Sequence, residues 1–456
     1  MPRWSHVAVP YNGKVYVWGG RTKDASQSTE LVSVVEEFDP ATMKWRQVRT
    51  TGEHPQWPER CAYTCTEDGS KLYVFGGYHE GKFSNSLYLL GLDTMSWEEI
   101  HCCDPECSPG KKAAAGMVIW NNDTLVLFGG YGLPPTQRVA PDTAYVKHAR
   151  SSDGSGCTSD LYLFKLPEKS WTFQPSEGTP PPCHGFSFVV LSKDNVMRYG
   201  GNEPRKECVS RLDILDLKQW RWNAINIGSP VPGGRKFHSA ACITTDPGSP
   251  KLLVIGGSLP DRDVSGEIWM LDYNAMKWIK VDTMLEMKRF WHTATCVVHT
   301  HDSTVIQVVG FGGSAKNAEY GSPLEPMSET TVFDLDTSSM AVRVAHDVPL
   351  FHQLLNDVAE VIPAKWRPVG IQLKLSSQKL DSIEIENGWK PNSNKHCFEQ
   401  VFKEWRKKDP QSYSWTKLIE VLEKPAVAEN DLANKLRNKH ASHAAMEAQG
   451  LRQLQT

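Results

Sequence analysis

The spacing of apolar residues divides the chain into two regions. Up to about residue 345, short apolar runs alternate with turns rich in Gly, Pro, Asp and Asn. Such short runs bounded by turn residues predict β-strands. Farther on, Phe398, Val401, Phe402 and Trp405 have the spacing of one helical face. The pattern therefore predicts an all-β region followed by an all-α region.

The predicted β region is built from repeats. Six of the seven Gly-Gly pairs end a short strand, and five of these six are followed by a tryptophan. A period near 50 residues with four short strands is typical of a propeller blade. The sequence therefore predicts a six-bladed β-propeller over residues 1–345. The six pairs begin at Gly19, Gly76, Gly129, Gly200, Gly256 and Gly312, so the steps are 57, 53, 71, 56 and 56 residues.

Glycine pairs and tryptophans predict how the blades meet. Because glycine lacks Cβ, it accepts positive φ and lets another backbone come close. We therefore expect the pairs where strands crowd together, and we expect the tryptophans to pack between neighbouring blades. The tryptophans are Trp45, Trp97, Trp171, Trp222 and Trp278, with Met340 at the comparable place in the sixth repeat.

An Arg-x-x-His motif opens three of the repeats. It occurs at Arg3/His6, Arg235/His238 and Arg289/His292. Histidines that bind a metal must converge on one point, whereas these occupy equivalent positions in different blades. We interpret the motif as a repeated polar contact between blades.

The Gly pair, the downstream Trp and the Arg-x-x-His opening together resemble the kelch repeat, and residues 2–343 are similar to a six-bladed kelch propeller. All four strands of the first blade lie at the N-terminus, so closure is expected to rest on packing between blades one and six. More narrowly, the segments 128–132 and 289–294 resemble a kelch subgroup that contains substrate receptors of cullin-RING ubiquitin ligases. The function of such a receptor is therefore an alternative for this chain.

Receptors of that subgroup hold the terminal carboxylate of a protein with arginines after the fourth Gly pair and a Ser-Trp in blade five. This chain has Asn202-Glu203-Pro204-Arg205 and Lys236-Phe237 at those places. The differences argue against recognition of a protein C-terminus. Kelch domains that bind peptides use the loops after the Gly pairs and the openings of the first strands. The resemblance thus implies a partner-binding face formed by Ser5, Arg21, Tyr78, Tyr131, Asn202, Arg205, Lys236, Phe237 and Trp291.

Basic groups among aromatic ones favour an acidic or carboxylate-bearing peptide on this face. The segment from Tyr131 to Ser159 lengthens the third step and is rich in Pro, Gly, Ser and charged residues. Long loops without structure of their own are often functional. We expect it to form a wall over the same face.

The helical region resembles a death domain. Trp366-Arg367-Pro368-Val369-Gly370, Leu380 to Glu384 and Trp405-Arg406-Lys407 followed by Ser414-Trp415 carry the resemblance. Residues 351–440 are expected to form a six-helix death-fold bundle, and residues 441–456 a flexible tail. The predicted helices are 350–360, 365–373, 376–387, 394–408, 414–423 and 427–440.

Death domains are non-enzymatic and assemble with other death domains through complementary charged patches. Here the resemblance implies two candidate patches of opposite sign, which would permit contact with another death-domain protein or with a second copy. The acidic patch is Asp381, Glu384 and Glu386, and the basic patch is Lys403, Arg406, Lys407 and Lys408.

Charge and cysteine content indicate which classes of partner and which cellular compartment to expect. Residues 351–456 carry 16 basic and 13 acidic groups (+3), which leaves 34 basic and 40 acidic groups (−6) in the remainder. Neither balance indicates binding to nucleic acid or to a membrane. The sequence from Met1 does not resemble a secretory signal, and eleven scattered cysteines suit a reducing compartment. A cytoplasmic protein is expected.

Candidate chemistry is sparse. The segment His101-Cys102-Cys103 with Cys107 lacks the paired C-x2-C of zinc sites, and no G-x-S-x-G, Walker A or HExxH motif occurs. We expect no catalytic residue, no metal and no cofactor, and keep a metalloenzyme built on the propeller as a second alternative. The sequence favours a signalling adaptor of the apoptotic or innate-immune type.

Overall fold

The computed structural model describes residues 1–23, 31–134, 145–149, 151–244, 250–281, 287–298, 305–316, 324–336, 341–344, 355–388, 392–408 and 415–437. The chain divides into two compact units, Met1–Arg343 and Val344–Thr456. The first is mostly β and the second is helical, as the apolar spacing predicted.

Each Gly-Gly repeat forms one antiparallel sheet whose four main strands are hydrogen-bonded in chain order. All four strands of sheet 1 come from the N-terminal repeat, as expected. The strands of sheets 1 to 3 are Val7–Tyr11, Lys14–Trp18, Val34–Asp39 and Lys44–Arg49; Ala62–Cys65, Lys71–Phe75, Leu87–Gly91 and Ser96–Ile100; and Gly116–Trp120, Thr124–Phe128, Leu161–Lys165 and Ser170–Phe173. Those of sheets 4 to 6 are Ser187–Ser192, Asn195–Tyr199, Leu212–Asp216 and Arg221–Ile225; Ser239–Thr244, Pro250–Ile255, Ile268–Asp272 and Lys277–Lys280; and Thr293–Val298, Val305–Phe311, Thr330–Asp336 and Ala341–Val344.

The Gly pairs join each repeat to the next. The second glycine of each of the six pairs donates its backbone N–H to a carbonyl of the following repeat, and Gly313 returns to Arg3 at 2.8 Å. A Cβ built on Gly19 would lie only 2.7 Å from the carbonyl oxygen of Pro58. The predicted close approach is therefore confirmed. The other bonds are Gly20 to Pro58, Gly77 to Lys112, Gly130 to Cys183, Gly201 to Arg235 and Gly257 to Arg289.

The tryptophans pack between sheets, as predicted. Each fourth-strand Trp contacts the aromatic residue that precedes the Gly pair of the neighbouring repeat. Trp45 packs on Phe311 at 4.6 Å between ring centroids and donates to Thr330 Oγ1 at 3.0 Å, which links sheet 1 to sheet 6. Met340 lies outside the described residues. The other pairs are Trp97–Trp18, Trp171–Phe75, Trp222–Phe128 and Trp278–Tyr199.

Two of the three Arg-x-x-His motifs make the expected polar contact between sheets; in the third, both ring nitrogens of His292 are buried without a hydrogen-bond partner among the described residues. Arg3 Nη1 donates to the carbonyl of Gly19 at 3.1 Å, and Arg235 Nη1 donates to Gly256 at 2.9 Å. His6 Nε2 lies 2.8 Å from Thr293 Oγ1, so this histidine connects the first and sixth sheets. Each arginine of the motif thus holds the Gly pair of its own repeat, and His6 and His238 join neighbouring sheets.

The insertion after the third Gly pair differs from the expected loop. Its described part pairs in a small sheet with the opening of the third repeat, while residues 135–144 and 150 lie outside the described residues. Gly156 permits this pairing, since a Cβ there would lie 2.2 Å from the carbonyl oxygen of Val146. The small sheet contains Lys112–Ala113, Tyr131–Gly132, Tyr145–Lys147 and Gly156–Thr158. Other short elements are Thr51–Gly52, the 3₁₀ turn Pro105–Cys107, and the hairpins Tyr78–His79 with Lys82–Phe83 and Asn202–Glu203 with Glu207–Cys208.

The helical unit surrounds one apolar core. The predicted stripe Phe398, Val401, Phe402 and Trp405 is buried in it. Ser376 caps one helix, because its Oγ accepts a hydrogen bond from the backbone N–H of Lys379. The described elements are a π-helical turn Leu355–Ala359, a 3₁₀ turn Pro363–Lys365, α1 Trp366–Gln372, α2 Ser377–Asn387, α3 Ser393–Lys408, α4 Trp415–Glu423 and a helical segment 430–437.

These elements match the predicted helices, but the first is only a short turn because residues 345–354 lie outside the described part. The expected tail 441–456 and Ser414 also lie outside it. Among the described helices, none is long and apolar enough to cross a bilayer.

Candidate functional site

One residue at the start of each repeat belongs to a circle of backbone hydrogen bonds. Each has positive φ and donates its N–H to the carbonyl of another member, and the circle closes where Ser5 donates to Trp291 at 2.8 Å. We call these six residues the opening ring. In hydrogen-bonding order they are Ser5, Trp291, Phe237, Gly185, Ala114 and Arg60, and Arg60 donates back to Ser5 at 3.2 Å.

The opening ring lies beside the loops that follow the Gly pairs. In every repeat, the residue before the ring member pairs with the residue after the Gly pair. The two sets of positions named from the sequence are therefore adjacent in the structure. The pairs are Trp4–Arg21, Glu59–Tyr78, Ala113–Tyr131, His184–Asn202, Lys236–Ser258 and Phe290–Ser314.

Aromatic side chains from the openings and from the loops after the Gly pairs form a nearly continuous belt. Phe237 stacks on Trp291 with centroids 3.7 Å apart and planes 16° apart. The succession runs Trp4–Trp291, Trp291–Phe237, Phe237–His184, His184–Tyr131, Tyr131–Phe83 and Phe83–Tyr78, at centroid distances of 6.2, 3.7, 5.9, 5.2, 6.0 and 5.1 Å. We call this set the aromatic belt. Trp4 is buried, and the other six rings are half-buried and offer flat apolar surface of the kind that anchors protein partners.

Arg21, Lys236 and Asn202 lie on or beside the belt, whereas no contact connects Arg205 to it among the described residues. The Arg21 guanidinium lies 5.9 Å from the Trp4 ring centroid. Lys236 Nζ lies 5.8 Å from the Phe237 ring and donates to Asn202 Oδ1 at 3.2 Å. Arg205 is exposed in the turn between Asn202–Glu203 and Glu207–Cys208, with φ of +75°.

Arg60, which was not predicted from the sequence, is central to this surface. Its guanidinium carbon lies 5.5, 5.1 and 5.1 Å from the ring centroids of Trp4, Tyr78 and Trp291. Aligning the first-strand openings could have found it, because Glu59-Arg60-Cys61 matches Lys236-Phe237-His238. Trp4 and His184 lie at the same kind of opening and were also missed, whereas Phe83 lies in the hairpin after the second Gly pair.

A buried carboxylate lies next to Arg60. Glu59 is 1% exposed, and its oxygens lie 3.8 Å from Arg21 Nη1 and 3.4 Å from His79 Nδ1. Burial raises the pKa of Glu59, and the charges of Arg21 and Arg60 oppose that rise. Its Oε2 is buried without a hydrogen-bond partner among the described residues, so the charge of this acid acts on both Arg21 and Arg60.

In the helical unit, the predicted charged patches are partly neutralised. Asp381 and Glu384 both accept hydrogen bonds from Arg367, while Glu386 is exposed. Lys403 donates to Glu399 at 2.5 Å, and Lys408 donates to the carbonyl of Lys374. The side chains of Arg406 and Lys407 lie outside the described residues.

Comparison with known proteins gives the family. The model of the KLHDC2/KLHL20/DRC7 Kelch-repeats domain matches residues 1–149 and 136–342. The chain belongs to this kelch-repeat family. The model of the Death domain matches residues 352–440, so the helical unit contains a death domain.

Relatives match the chain at modest identity. Kelch domain-containing protein 2 of Bos taurus is 24% identical over 372 residues, covering 79% of this chain and 88% of that protein. Kelch domain-containing protein 1 of Homo sapiens is 28% identical over 325 residues, covering 68% and 75%. Acyl-CoA-binding domain-containing protein 5 of Arabidopsis thaliana is 25% identical over 256 residues, covering 54% and 35%.

The kelch domain also contains a cysteine–histidine pair. Cys157 Sγ lies 3.2 Å from His184 Nδ1. Burial raises the pKa of Cys157 to about 12; burial together with Lys236 and Arg60 lowers the pKa of His184 to about 3. A nucleophilic cysteine needs the opposite shifts, so the pair is suited to packing rather than to covalent catalysis.

One set of groups in the kelch domain has the composition of a metal site. Glu53, Glu99 and His101 each place a ligand atom within 4.8 Å of the others. Glu53 and His101 are exposed. All eleven cysteines, including Cys102, Cys103 and Cys107, are free. Exposed carboxylates often cluster without an ion, and the expectation of no metal stays a prediction.

Proposed function

We propose that this protein is a non-enzymatic signalling adaptor. Its kelch domain binds a protein or peptide, and its death domain assembles with other death domains or with itself. Bringing the two sets of partners together on one chain raises their effective concentration. The pairing of two protein-interaction domains supports an adaptor role, and a cytoplasmic place in apoptotic or innate-immune signalling is the finer part of the proposal.

The proposal includes a closed six-bladed propeller and a six-helix death fold. Three kinds of contact run between neighbouring repeats and return from the sixth to the first. They are the Gly-pair bond from Gly313 to Arg3, the ring bond from Ser5 to Trp291, and the packing of Trp45 on Phe311. Closure of this kind needs no strand exchange between the ends of the domain.

The aromatic belt with its basic groups is the observation that carries the binding role. Arginine and aromatic side chains dominate the energy of many protein interfaces. Arg21, Arg60 and Lys236 each lie within 6 Å of a belt ring, so a partner would meet apolar surface and positive charge together. This combination favours a peptide that carries carboxylates.

A ubiquitin-ligase substrate receptor is the second candidate function. The family match and the resemblance of segments 128–132 and 289–294 favour it. Against it stand Asn202 and Lys236, which replace the arginine and serine expected to hold a terminal carboxylate. Co-purification of a cullin with the full-length chain would support this candidate.

The adaptor proposal predicts two sets of partners that can be lost separately. Tagged full-length protein would be compared with Arg205→Ala/Lys236→Ala and with Asp381→Lys/Glu384→Lys by affinity capture and mass spectrometry. The first variant should abolish capture of one set, and the second should abolish capture of the other. Arg49→Ala, an exposed arginine on the outer strand of sheet 1, is the control. If both variants lose the same proteins, or neither loses any, the adaptor proposal fails.

A further inference from the structure

Arg60 is fixed in the backbone by its neighbours in the opening ring. Its N–H donates to the carbonyl of Ser5 at 3.2 Å, and its carbonyl accepts from Ala114 at 2.7 Å. Its φ is +57°, in the left-handed region that side chains other than glycine rarely occupy. Non-glycine residues held in this conformation are often found at binding sites.

The guanidinium of Arg60 is surrounded by rings and lacks the partners that other arginines have. Arg235 is buried too, but it donates to Gly256 and Glu267. By contrast, Nε of Arg60 is buried without a hydrogen-bond partner among the residues that the structure describes. Burial lowers the pKa of Arg60, an effect that the charge of Glu59 opposes. Because a buried donor without an acceptor costs free energy, an incoming anion would find this group ready to bind.

Ser5 offers a second donor next to Arg60 in the ring. The residue is 6% exposed, and its Oγ has no hydrogen-bond partner in the described part of the chain. Trp4, Tyr78 and Trp291 are close to the guanidinium and keep the local dielectric constant low, which strengthens charge-assisted hydrogen bonds. A carboxylate has two oxygens, so it can accept from the guanidinium and from the hydroxyl together.

We propose that Arg60 and Ser5 form an anion subsite that takes a carboxylate of the peptide partner. The inference rests on the proposed function, because it assumes that the kelch face binds a peptide. It places the anionic contact at the opening of the second repeat, a position that differs from both Arg205 and Lys236. The carboxylate is either an acidic side chain or the C-terminus of the peptide.

Immobilised peptide pools test the subsite with the full-length chain. One pool of acetylated heptapeptides has a central Glu and an amidated C-terminus; a second has Gln and a free C-terminus; a third has Gln and an amidated C-terminus. Flanking positions are randomised among uncharged residues, and binding is measured by biolayer interferometry. Wild type should bind one or both carboxylate pools more tightly than the third pool, and the preferred pool identifies the source of the carboxylate.

Arg60→Gln should weaken binding to the preferred pool about tenfold to a hundredfold and remove the preference over the third pool, as expected for loss of a charged hydrogen-bond donor. Ser5→Ala should weaken binding to the preferred pool less than Arg60→Gln does. Arg60→Lys should also weaken this binding in part, because Lys cannot bind bidentately. Arg49→Gln should leave the binding unchanged. Circular dichroism melts establish that each variant is folded. If Arg60→Gln destroys the fold, the peptide binding of Ser5→Ala and Arg60→Lys tests the subsite instead.

Two outcomes separate the subsite from the adaptor proposal. If variants at Arg60 and Ser5 bind all pools as wild type does and keep the same preference, the subsite is wrong and peptide binding stands. If wild type binds none of the pools, both the subsite and peptide binding by this face are wrong.

Discussion

Alanine at Gly19 would meet a carbonyl oxygen, whereas alanine at Gly13 would meet nothing. Both glycines lie in the first repeat and both have φ of +71°. A Cβ on Gly19 would lie 2.7 Å from the carbonyl oxygen and 3.2 Å from Cβ of Pro58, while a Cβ on Gly13 has no atom within 4 Å. The two substitutions therefore share the same backbone strain and differ in crowding against the next repeat.

The expected magnitudes follow from that comparison. Left-handed backbone costs an alanine about 1–2 kcal/mol at either position. Overpacking against Pro58 adds about 1–3 kcal/mol at Gly19 alone. Because the Pro58 oxygen also accepts the N–H of Gly20 at 2.9 Å, moving it away would strain the bond between repeats. We expect Gly13→Ala to lower the free energy of unfolding by about 1–2 kcal/mol and Gly19→Ala by about 2–5 kcal/mol.

Urea unfolding of the full-length chain, followed by circular dichroism in the β-sheet region, measures the difference. Shifts of the midpoint at unchanged m-value report stability alone. Equal destabilisation by the two alanines would refute the argument that the Gly pairs are required for close approach between repeats. It would leave positive φ as the sufficient reason for glycine.

Two further predictions concern closure and pH. Trp45→Ala should destabilise the kelch domain by about 2–4 kcal/mol, since the Trp is half-buried on Phe311. It should also speed hydrogen exchange at the Ser5 amide more than Trp222→Ala does. Equal exchange in both variants would contradict closure between sheets 1 and 6. Burial raises the pKa of Glu37, but hydrogen bonds from Arg46, Lys14 and Tyr16 outweigh burial and hold it at about 2, below its usual 4.5. Its stabilising contribution is thus present above about pH 4.5 and is lost as pH falls towards 2. Melting temperatures between pH 6 and 2 should fall less steeply for Glu37→Gln than for wild type, and parallel curves would disprove this role.

Much of the fold could be predicted because it is local and repeated. The Gly pairs mark the ends of second strands and the tryptophans mark fourth strands, so the strands of each sheet can be predicted within one repeat. The helical stripe of α3 likewise follows from side-chain spacing, and its four apolar residues are buried. The insertion after Tyr131 was harder, because its pairing with Lys112–Ala113 depends on a segment about 20 residues earlier in the chain.

The sequence by itself determined the two domain types, their order and the set of repeat positions that face one another. Only the tertiary structure decided which side chains converge there. Arg60, Trp4 and Trp291 come from the second, first and sixth repeats and meet because the chain of hydrogen bonds between repeats closes at Ser5. Likewise, the acids at 381 and 384 appear free in the sequence, yet Arg367 of the neighbouring helix pairs with both. Contacts between distant segments depend on how the sheets and helices pack, and the spacing of residues within one segment does not predict those contacts.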